Sequence, residues 1–198
     1  LIHAIGKKMG VKIEMQNIAW DGLIPAVQSG NVDLAIAGMA ITEERKKVLL
    51  FSDPYYESGL TIMVPKNSSI QSIKDLEGKK IAVQIGTMSS KKAKEVPNAS
   101  VREFNTSADA FMELKNGGAD AVINHIPVIK YYMLKNGGAD SPFKIAGIPL
   151  STASDAIATK KDNKELMDKV NKAMKELKDS GEFDALYEKW FGEKPPKK

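Results

Sequence analysis

Two short polar loops hold the side chains in this sequence best suited to chemistry. The loop Gly38–Arg45 follows the apolar run Leu34–Ala37, and the pair Asn124-His125 follows the short predicted strand Ala119–Ile123. In both places a Gly that can end a helix precedes the segment by a few residues, and an Asp stands at or just before the segment's beginning. The repeat is either two generic helix–Gly–strand connections or two similar lobes, each presenting a loop at a strand's carboxyl end. Open α/β sheets bind ligands at such strand ends.

The sequence offers little for catalysis or for metal binding. Among the polar candidates for a general acid or base, His125, Asp155 and Glu57 form no recognisable dyad. The chain has two His and no Cys, which excludes disulfides, cysteine nucleophiles and thiolate zinc sites. We therefore predict a protein that is not an enzyme and that needs no metal and no cofactor.

Composition indicates an ordinary globular protein without nucleic-acid partners. Hydrophobic residues make up 42% and charged residues 27%, and the net charge is +4. The basic residues are scattered and do not alternate with aromatics, so a nucleic-acid surface is not predicted. No apolar run is long enough to cross a membrane. The opening residues resemble the second half of a helix ending at Gly10, so we expect the beginning of the fold to be missing.

Strand and helix patterns alternate along most of the chain, which favours an α/β fold with parallel sheets. Val11–Ile18 has the alternation of a half-buried strand, and Asp155–Thr159 is a second predicted strand. Asp21 is placed to cap a short helix through Gln28. Asn163 is placed to cap a long helix with one apolar stripe.

Six segments resemble the polar amino-acid class (family 3) of bacterial extracellular solute-binding proteins. This class serves ABC importers, and its glutamine-binding members are the most similar. The segments are Asp33–Arg45, Phe51–Gly59, Asp75–Lys79, Gln84–Thr87, Gly118–Ile123 and Tyr187–Gly192. The resemblance runs in order from Leu1 to Gly192, and the combined set is specific although each piece alone is weak. The family begins with a strand and a loop bearing an aspartate and an aromatic, which are absent here.

The resemblance implies a two-lobed, type II periplasmic-binding-protein-like α/β fold with a cleft between the lobes. Residues 1–57 plus 155–198 would form the first lobe and 60–150 the second, with crossover hinges at 56–59 and 151–155. The expected function is to bind a small polar amino acid, glutamine-like, and to deliver it to the membrane permease of an ABC importer. The expected protein is an extracytoplasmic monomer, free in the periplasm or anchored at the cell surface.

In the first lobe, the resemblance assigns Arg45 to the α-carboxylate of the ligand. A guanidinium offers a planar fork that matches a carboxylate, which Lys cannot do. The alternative is a solvated helix Arg that pairs with Glu44 or Asp53. Gly38 and Ala40 would add backbone N–H donors to the same carboxylate. Relatives often carry Ser or Thr at position 40, so one hydroxyl contact is lost here.

In the second lobe, the resemblance points to the start of a helix and to one polar side chain. Thr87, Met88 and Ser89 would present helix N-terminal groups to the ligand, although plain helix capping is the alternative for Thr87. Gln84 stands where glutamine-binding relatives carry a basic residue. Trp20 would form an aromatic wall, with a core position as the alternative.

Position 125 departs from the family pattern. Relatives usually place Asp there, after Asn or His, to bind the ligand ammonium; here Asn124 is followed by His125, which brings no negative charge. Three explanations stay open: another acid substitutes, the ligand has no free amine, or the site is impaired. Asp155, where relatives commonly have an aromatic, is the candidate substitute. The alternative functions are a dehydratase-like enzyme on the same scaffold and a ligand-sensing or engineered fragment.

Overall fold

The computed structural model of this protein describes residues 1–191 together with 194 and 195. The last residue of the predicted Tyr187–Gly192 motif lies outside the described residues. The helices are α1 (Ile2–Met9), α2 (Leu23–Ser29), α3 (Glu43–Lys46), α4 (Met88–Lys94), α5 (Ser107–Lys115), α6 (Ile126–Lys135), α7 (Lys164–Asp179) and α8 (Glu182–Phe191). The strands are β1 (Leu34–Ala35), β2 (Leu49–Phe51), β3 (Tyr56–Ser58), β4 (Leu60–Pro65), β5 (Lys80–Gln84), β6 (Ser100–Phe104), β7 (Ala121–His125), β8 (Phe143–Ala146), β9 (Ala153–Asp155) and β10 (Ala158–Lys160).

The chain divides into two units. Unit 1 comprises 1–18, 22–57 and 154–198, and unit 2 comprises 19–21 and 58–153. The main chain passes between the units where β3 pairs with β9 in a two-stranded ribbon. The short segment 19–21, which precedes α2, is grouped with unit 2, and the sequence pattern did not anticipate that grouping.

Unit 1 contains a three-stranded sheet with the order β1-β10-β2, and both strand pairs are antiparallel. The predicted parallel arrangement is therefore wrong for this unit. Short apolar runs between helices indicate buried strands, but they carry no information about strand direction. The strand that the sequence predicted as Asp155–Thr159 is divided in the structure, with its first part in β9 and its last part in β10.

Helix α7 supplies much of the unit 1 core. The side chain of Asn163 accepts a hydrogen bond from the amide of Leu166, so the predicted N-cap is confirmed. The apolar stripe of α7 packs with α1 and with the strand region around β10. Its buried residues are Met167, Val170, Ala173, Met174 and Leu177.

Unit 2 contains a five-stranded mixed sheet with the order β6-β5-β7-β4-β8. Strand β5 is parallel to β6 and β7, whereas β4 is antiparallel to β7 and β8. The parallel prediction thus holds for only part of this sheet. Apolar side chains form separate cores on its two faces, with helix α4 against one and helix α5 against the other. Since β5 and β7 are parallel, the loops after them emerge at the same edge of the sheet.

Two local predictions near the start of the chain are wrong. Val11–Ile18 forms no strand, and Val11 and Met15 are 49% and 62% exposed. Alternating apolar and polar residues suit a strand, but a segment becomes a strand only when its backbone pairs with a neighbouring strand. Among the described residues, no backbone hydrogen bond joins residues 12–18 to another segment. Asp21 does not cap α2, because it lies inside the 3₁₀ turn Trp20–Gly22 that precedes the helix.

Candidate functional site

The polar loop of unit 1 is shaped by a local helix cap. Thr42 is the N-cap of α3, and its hydroxyl accepts a hydrogen bond from the amide of Arg45 at 3.2 Å. This cap satisfies one of the free amides that begin any helix. As a result Arg45 is held one turn into the helix, close in space to the loop residues that precede it.

The guanidinium of Arg45 turns back onto its own loop. Its Nη1 donates to the carbonyl oxygen of Ala40 at 2.8 Å. Burial lowers the pKa of Arg45, and the negative charges of Glu44 and Asp155 act in the opposite direction. A guanidinium has five N–H donors in a fixed fork, so the bond to Ala40 engages one of them and orients the whole group.

Ala40 is fully buried and carries an unused backbone donor. It forms an isolated antiparallel bridge with Asp155. Two backbone hydrogen bonds flank this bridge. The amide of Ile41 donates to the carbonyl of Ser154 at 2.9 Å, and the amide of Ala156 donates to the carbonyl of Met39 at 3.1 Å. In such a pair the amide and carbonyl of Ala40 both point away from the partner strand. The carbonyl receives Arg45, but no hydrogen bond of the Ala40 amide is found within the described chain. A buried amide without a partner is uncommon and marks a place for an acceptor.

Gly38 and Tyr55 form the other side of this loop. Gly38 has a φ of +64°, a conformation that glycine adopts without strain, and its amide donates to the hydroxyl of Tyr55 at 3.1 Å. The amide of Tyr55 in turn donates to the carbonyl of Asp155 at 3.0 Å. Sequence reasoning did not select Tyr55 as a site residue, although it lies in the Phe51–Gly59 segment, because its contact partner lies 17 residues away. The predicted Gly38 donor is thus already engaged by a protein oxygen.

The hydroxyl of Tyr55 is expected to make the protein sensitive to alkaline pH. Burial and the negative charge of Asp155 raise the pKa of Tyr55 well above its ordinary value. Unfolded Tyr loses its proton near pH ~10 while the folded group keeps it, so stability falls above that pH by up to about 1.4 kcal/mol per pH unit. Tyr55→Phe should be less stable than the parent at neutral pH but lose less stability between about pH 10 and 11.

Urea denaturation across this range measures the effect. Tyr131→Phe, which removes the hydroxyl of a more exposed tyrosine on α6, is the matched control and should keep the parental pH slope. Equal alkaline slopes for the parent and Tyr55→Phe would contradict the assignment.

In unit 2, a chain of hydrogen bonds joins five predicted or neighbouring residues. Gln84 donates through Nε2 to Asn105 O at 3.0 Å and accepts at Oε1 from Ser107 Oγ at 2.9 Å. Asn124 Nδ2 donates to the same Ser107 oxygen at 2.9 Å, and the His125 amide donates to Asn124 Oδ1 at 2.7 Å. Gln84 is the last residue of β5 and Asn124 is the last but one of the parallel strand β7, so this edge of the sheet is polar. Ser107 is the first residue of α5, whose N-cap is Thr106.

The start of α4 combines capping with an unused hydroxyl. Thr87 is the N-cap, accepting from Ser90 N at 3.2 Å and donating to Gln84 O at 2.7 Å, so the capping alternative is confirmed for it. Met88 opens the helix, and Ser89 follows with a hydroxyl that is buried and has no hydrogen-bond partner within the described residues. Trp20 is grouped with this unit, and its indole Nε1 donates to Gly86 O at 3.2 Å in the turn before α4.

No group of His, Cys, Asp or Glu able to hold a metal ion occurs in the described part of the chain. None of the helices in that part combines the length and apolar character that crossing a membrane requires.

The sequence of residues 1–193 matches the bacterial extracellular solute-binding proteins, family 3. The chain belongs to this family. It is 41% identical over 198 residues to the arginine-binding extracellular protein ArtP of Bacillus subtilis (strain 168), a match that covers 98% of this chain and 77% of ArtP. It is 36% identical over 186 residues to the ABC transporter glutamine-binding protein GlnH of the same strain, covering 93% of this chain and 67% of GlnH. A solved structure of an ancestral arginine-binding protein bound to glutamine has a TM-score of 0.85 and 47% identity, covering 97% of this chain and 85% of that chain.

Membership of family 3 confirms several expectations from the sequence. The predicted relationship and the α/β fold class are confirmed. As a family 3 solute-binding protein, the chain is a binding protein and not an enzyme. The assignment of individual site residues stays a prediction.

Proposed function

We propose that this protein binds arginine or glutamine outside the cytoplasm and delivers it, as a monomer, to the membrane permease of an ABC importer. The similarity to both ArtP and GlnH supports this ligand range. Arginine and glutamine share the amino-acid head group and a long polar side chain. A single site can hold either when it recognises the head group tightly and the end of the side chain through neutral hydrogen bonds.

The unused amide of Ala40 beside the guanidinium of Arg45 is the observation that carries this proposal. Both donors lie in one loop, in which Ala40 is buried and Arg45 is partly buried, and the bond from Arg45 to Ala40 O at 2.8 Å holds them in a fixed relation. A ligand α-carboxylate has two oxygens that could accept from these two donors together. Charge-assisted hydrogen bonds of this kind are among the strongest in proteins. In this proposal Arg45 keeps the role that the sequence predicted, with Ala40 as its partner, whereas Gly38 supports the loop through Tyr55.

We assign recognition of the rest of the ligand to unit 2. The polar edge formed by Gln84 and Asn124 offers neutral hydrogen-bonding groups, and Ser89 offers an unused hydroxyl. Trp20 supplies an apolar face suited to an aliphatic stem or to a guanidinium. His125, Thr87 and Met88 complete the predicted set. Neutral groups at this edge agree with a site that accepts both a carboxamide and a guanidinium.

A thermal-shift panel of the twenty amino acids tests the function. A ligand that binds only the folded state stabilises it by RT ln(1 + [L]/Kd), which is about 2.7 kcal/mol at a concentration of 100 Kd. We expect arginine and glutamine to give the largest increases in melting temperature, with no chemical change of either ligand after long incubation. If no amino acid raises the melting temperature at millimolar concentration, the proposal is wrong.

A further inference from the structure

The same seven residues occur twice in unit 2, each time at the end of a helix. The sequence Leu-Lys-Asn-Gly-Gly-Ala-Asp spans 114–120 at the end of α5 and 134–140 at the end of α6. Each copy contains an Asn-Gly pair. Asn is a thermolabile residue, and this pair is prone to lose ammonia because glycine has no side chain to shield its amide nitrogen from the Asn side chain. Since the two copies are identical, a difference in their reactivity must come from the fold around them.

The first copy has both of its glycine amides engaged in hydrogen bonds. Gly117 N donates to Leu114 O at 3.1 Å. Gly118 N donates to Glu113 O at 2.9 Å. With Gly117 at a φ of +75°, these two bonds form the Schellman motif that commonly ends a helix. The nitrogen that would attack the side chain of Asn116 is therefore bonded to the backbone, and it is released only when the last turn of α5 opens.

The second copy ends its helix in a different way. The side chain of Asn136 donates through Nδ2 to Tyr132 O at 2.9 Å, and the Asn136 backbone amide donates to the same oxygen at 3.0 Å. Gly137 is exposed, and no hydrogen bond of its amide is found within the described residues. The attacking nitrogen is thus free in this copy, and a single side-chain hydrogen bond holds the Asn136 carboxamide in place.

We propose that Asn136 is a site of spontaneous deamidation in the folded protein and that the Schellman motif protects Asn116. In this reaction Gly137 N loses its proton to a base in the solvent and attacks Cγ of Asn136. The bond from Cγ to Nδ2 breaks, ammonia leaves with a proton taken from water, and a cyclic succinimide remains. Water then opens the ring at either carbonyl, which gives aspartate or isoaspartate.

The fold makes this step easier at Asn136 than at Asn116. At Asn136 the reaction requires the rotation of one half-buried side chain, whereas at Asn116 the backbone of α5 must open. The product also changes the end of α6. A carboxylate has no N–H to donate to Tyr132 O, and it places a negative charge at a helix C-terminus, where such a charge is unfavourable.

Peptide mapping of the folded protein during incubation at mildly alkaline pH tests this proposal. Cleavage after lysine separates the two copies, because one product spans 116–130 and another spans 136–144. We expect the mass gain of an amide-to-acid conversion to accumulate several-fold faster in 136–144 than at Asn116, which fragment spectra distinguish from Asn124 in the same peptide. A sample digested without incubation gives the background.

The chain unfolded in urea is the matched control, because both copies should then react at equal rates. Three outcomes overturn the proposal. Equal or faster conversion of Asn116 in the folded protein would show that the Schellman motif gives no protection. A difference of the same size in urea would show that the fold does not decide the rates. If 136–144 converts in urea but not in the folded protein, the bond to Tyr132 protects Asn136 as well. The test needs no ligand, so its result is independent of the proposed function.

Discussion

Arg45→Lys is expected to weaken binding of arginine or glutamine about 100-fold, the largest loss of affinity that we predict from a change preserving charge. Lys keeps the positive charge but has no planar fork. It cannot donate to Ala40 O and at the same time offer two parallel donors to a carboxylate, as the guanidinium can. The unused amide of Ala40 would remain, but the ligand carboxylate that accepts from it would no longer be held in place.

Calorimetric titration with the better ligand of the thermal panel measures this loss. Arg102→Lys is the matched control, because Arg102 pairs with Glu113 on unit 2 away from the predicted site. We expect the control to bind within about threefold of the parent, a difference of less than 1 kcal/mol. If Arg45→Lys also stays within that range, Arg45 is not the carboxylate-binding group, although the protein could still bind an amino acid by other donors.

Gly59→Ala is expected to lower the free energy of unfolding by about 3 kcal/mol, the largest stability loss that we predict from adding one methyl group. A Cβ at this position would lie well inside contact distance of the main-chain carbonyl of Ser151. That carbonyl belongs to the second crossover segment and cannot turn away as a side chain would. The neighbouring bonds also hold the two segments together: Leu60 N donates to Ser151 Oγ at 3.1 Å, and Leu150 N donates to Leu60 O at 2.7 Å.

Urea denaturation without ligand measures this change, and Gly118→Ala is its control. A Cβ on Gly118 would meet only the end of the Glu113 side chain, which can move at the cost of a surface ion pair with Arg102. We expect the control to lose less than about 1 kcal/mol. If Gly59→Ala loses as little free energy of unfolding as the control, the approach of Gly59 to Ser151 is not closely packed.

The features that could be predicted from the sequence depend on short-range interactions. The caps by Thr42 and Asn163 join residues three apart, and a hydroxyl or amide before a helical stretch is sufficient to indicate them. Asp155 was recognised as a candidate because an acid is lost at position 125 and gained at position 155. The residue types alone did not show that Asp155 is buried or that it forms a backbone bridge with Ala40.

Features that depend on distant parts of the chain were not predictable in the same way. The hydroxyl of Tyr55 meets the amide of Gly38 only because the loop and the first crossover segment fold together, and Ser107 joins Gln84 to Asn124 across two strands and a helix. Strand direction in unit 1 likewise followed from chain topology, since a short apolar run indicates a buried strand but does not decide which neighbour it pairs with. The residue types alone thus predicted the family, the caps by Thr42 and Asn163, and Arg45 as the candidate cationic group. The unused amide of Ala40 and the acid beside it became visible only once distant backbone segments were paired, because hydrogen bonding between segments decides which donors are left for a ligand.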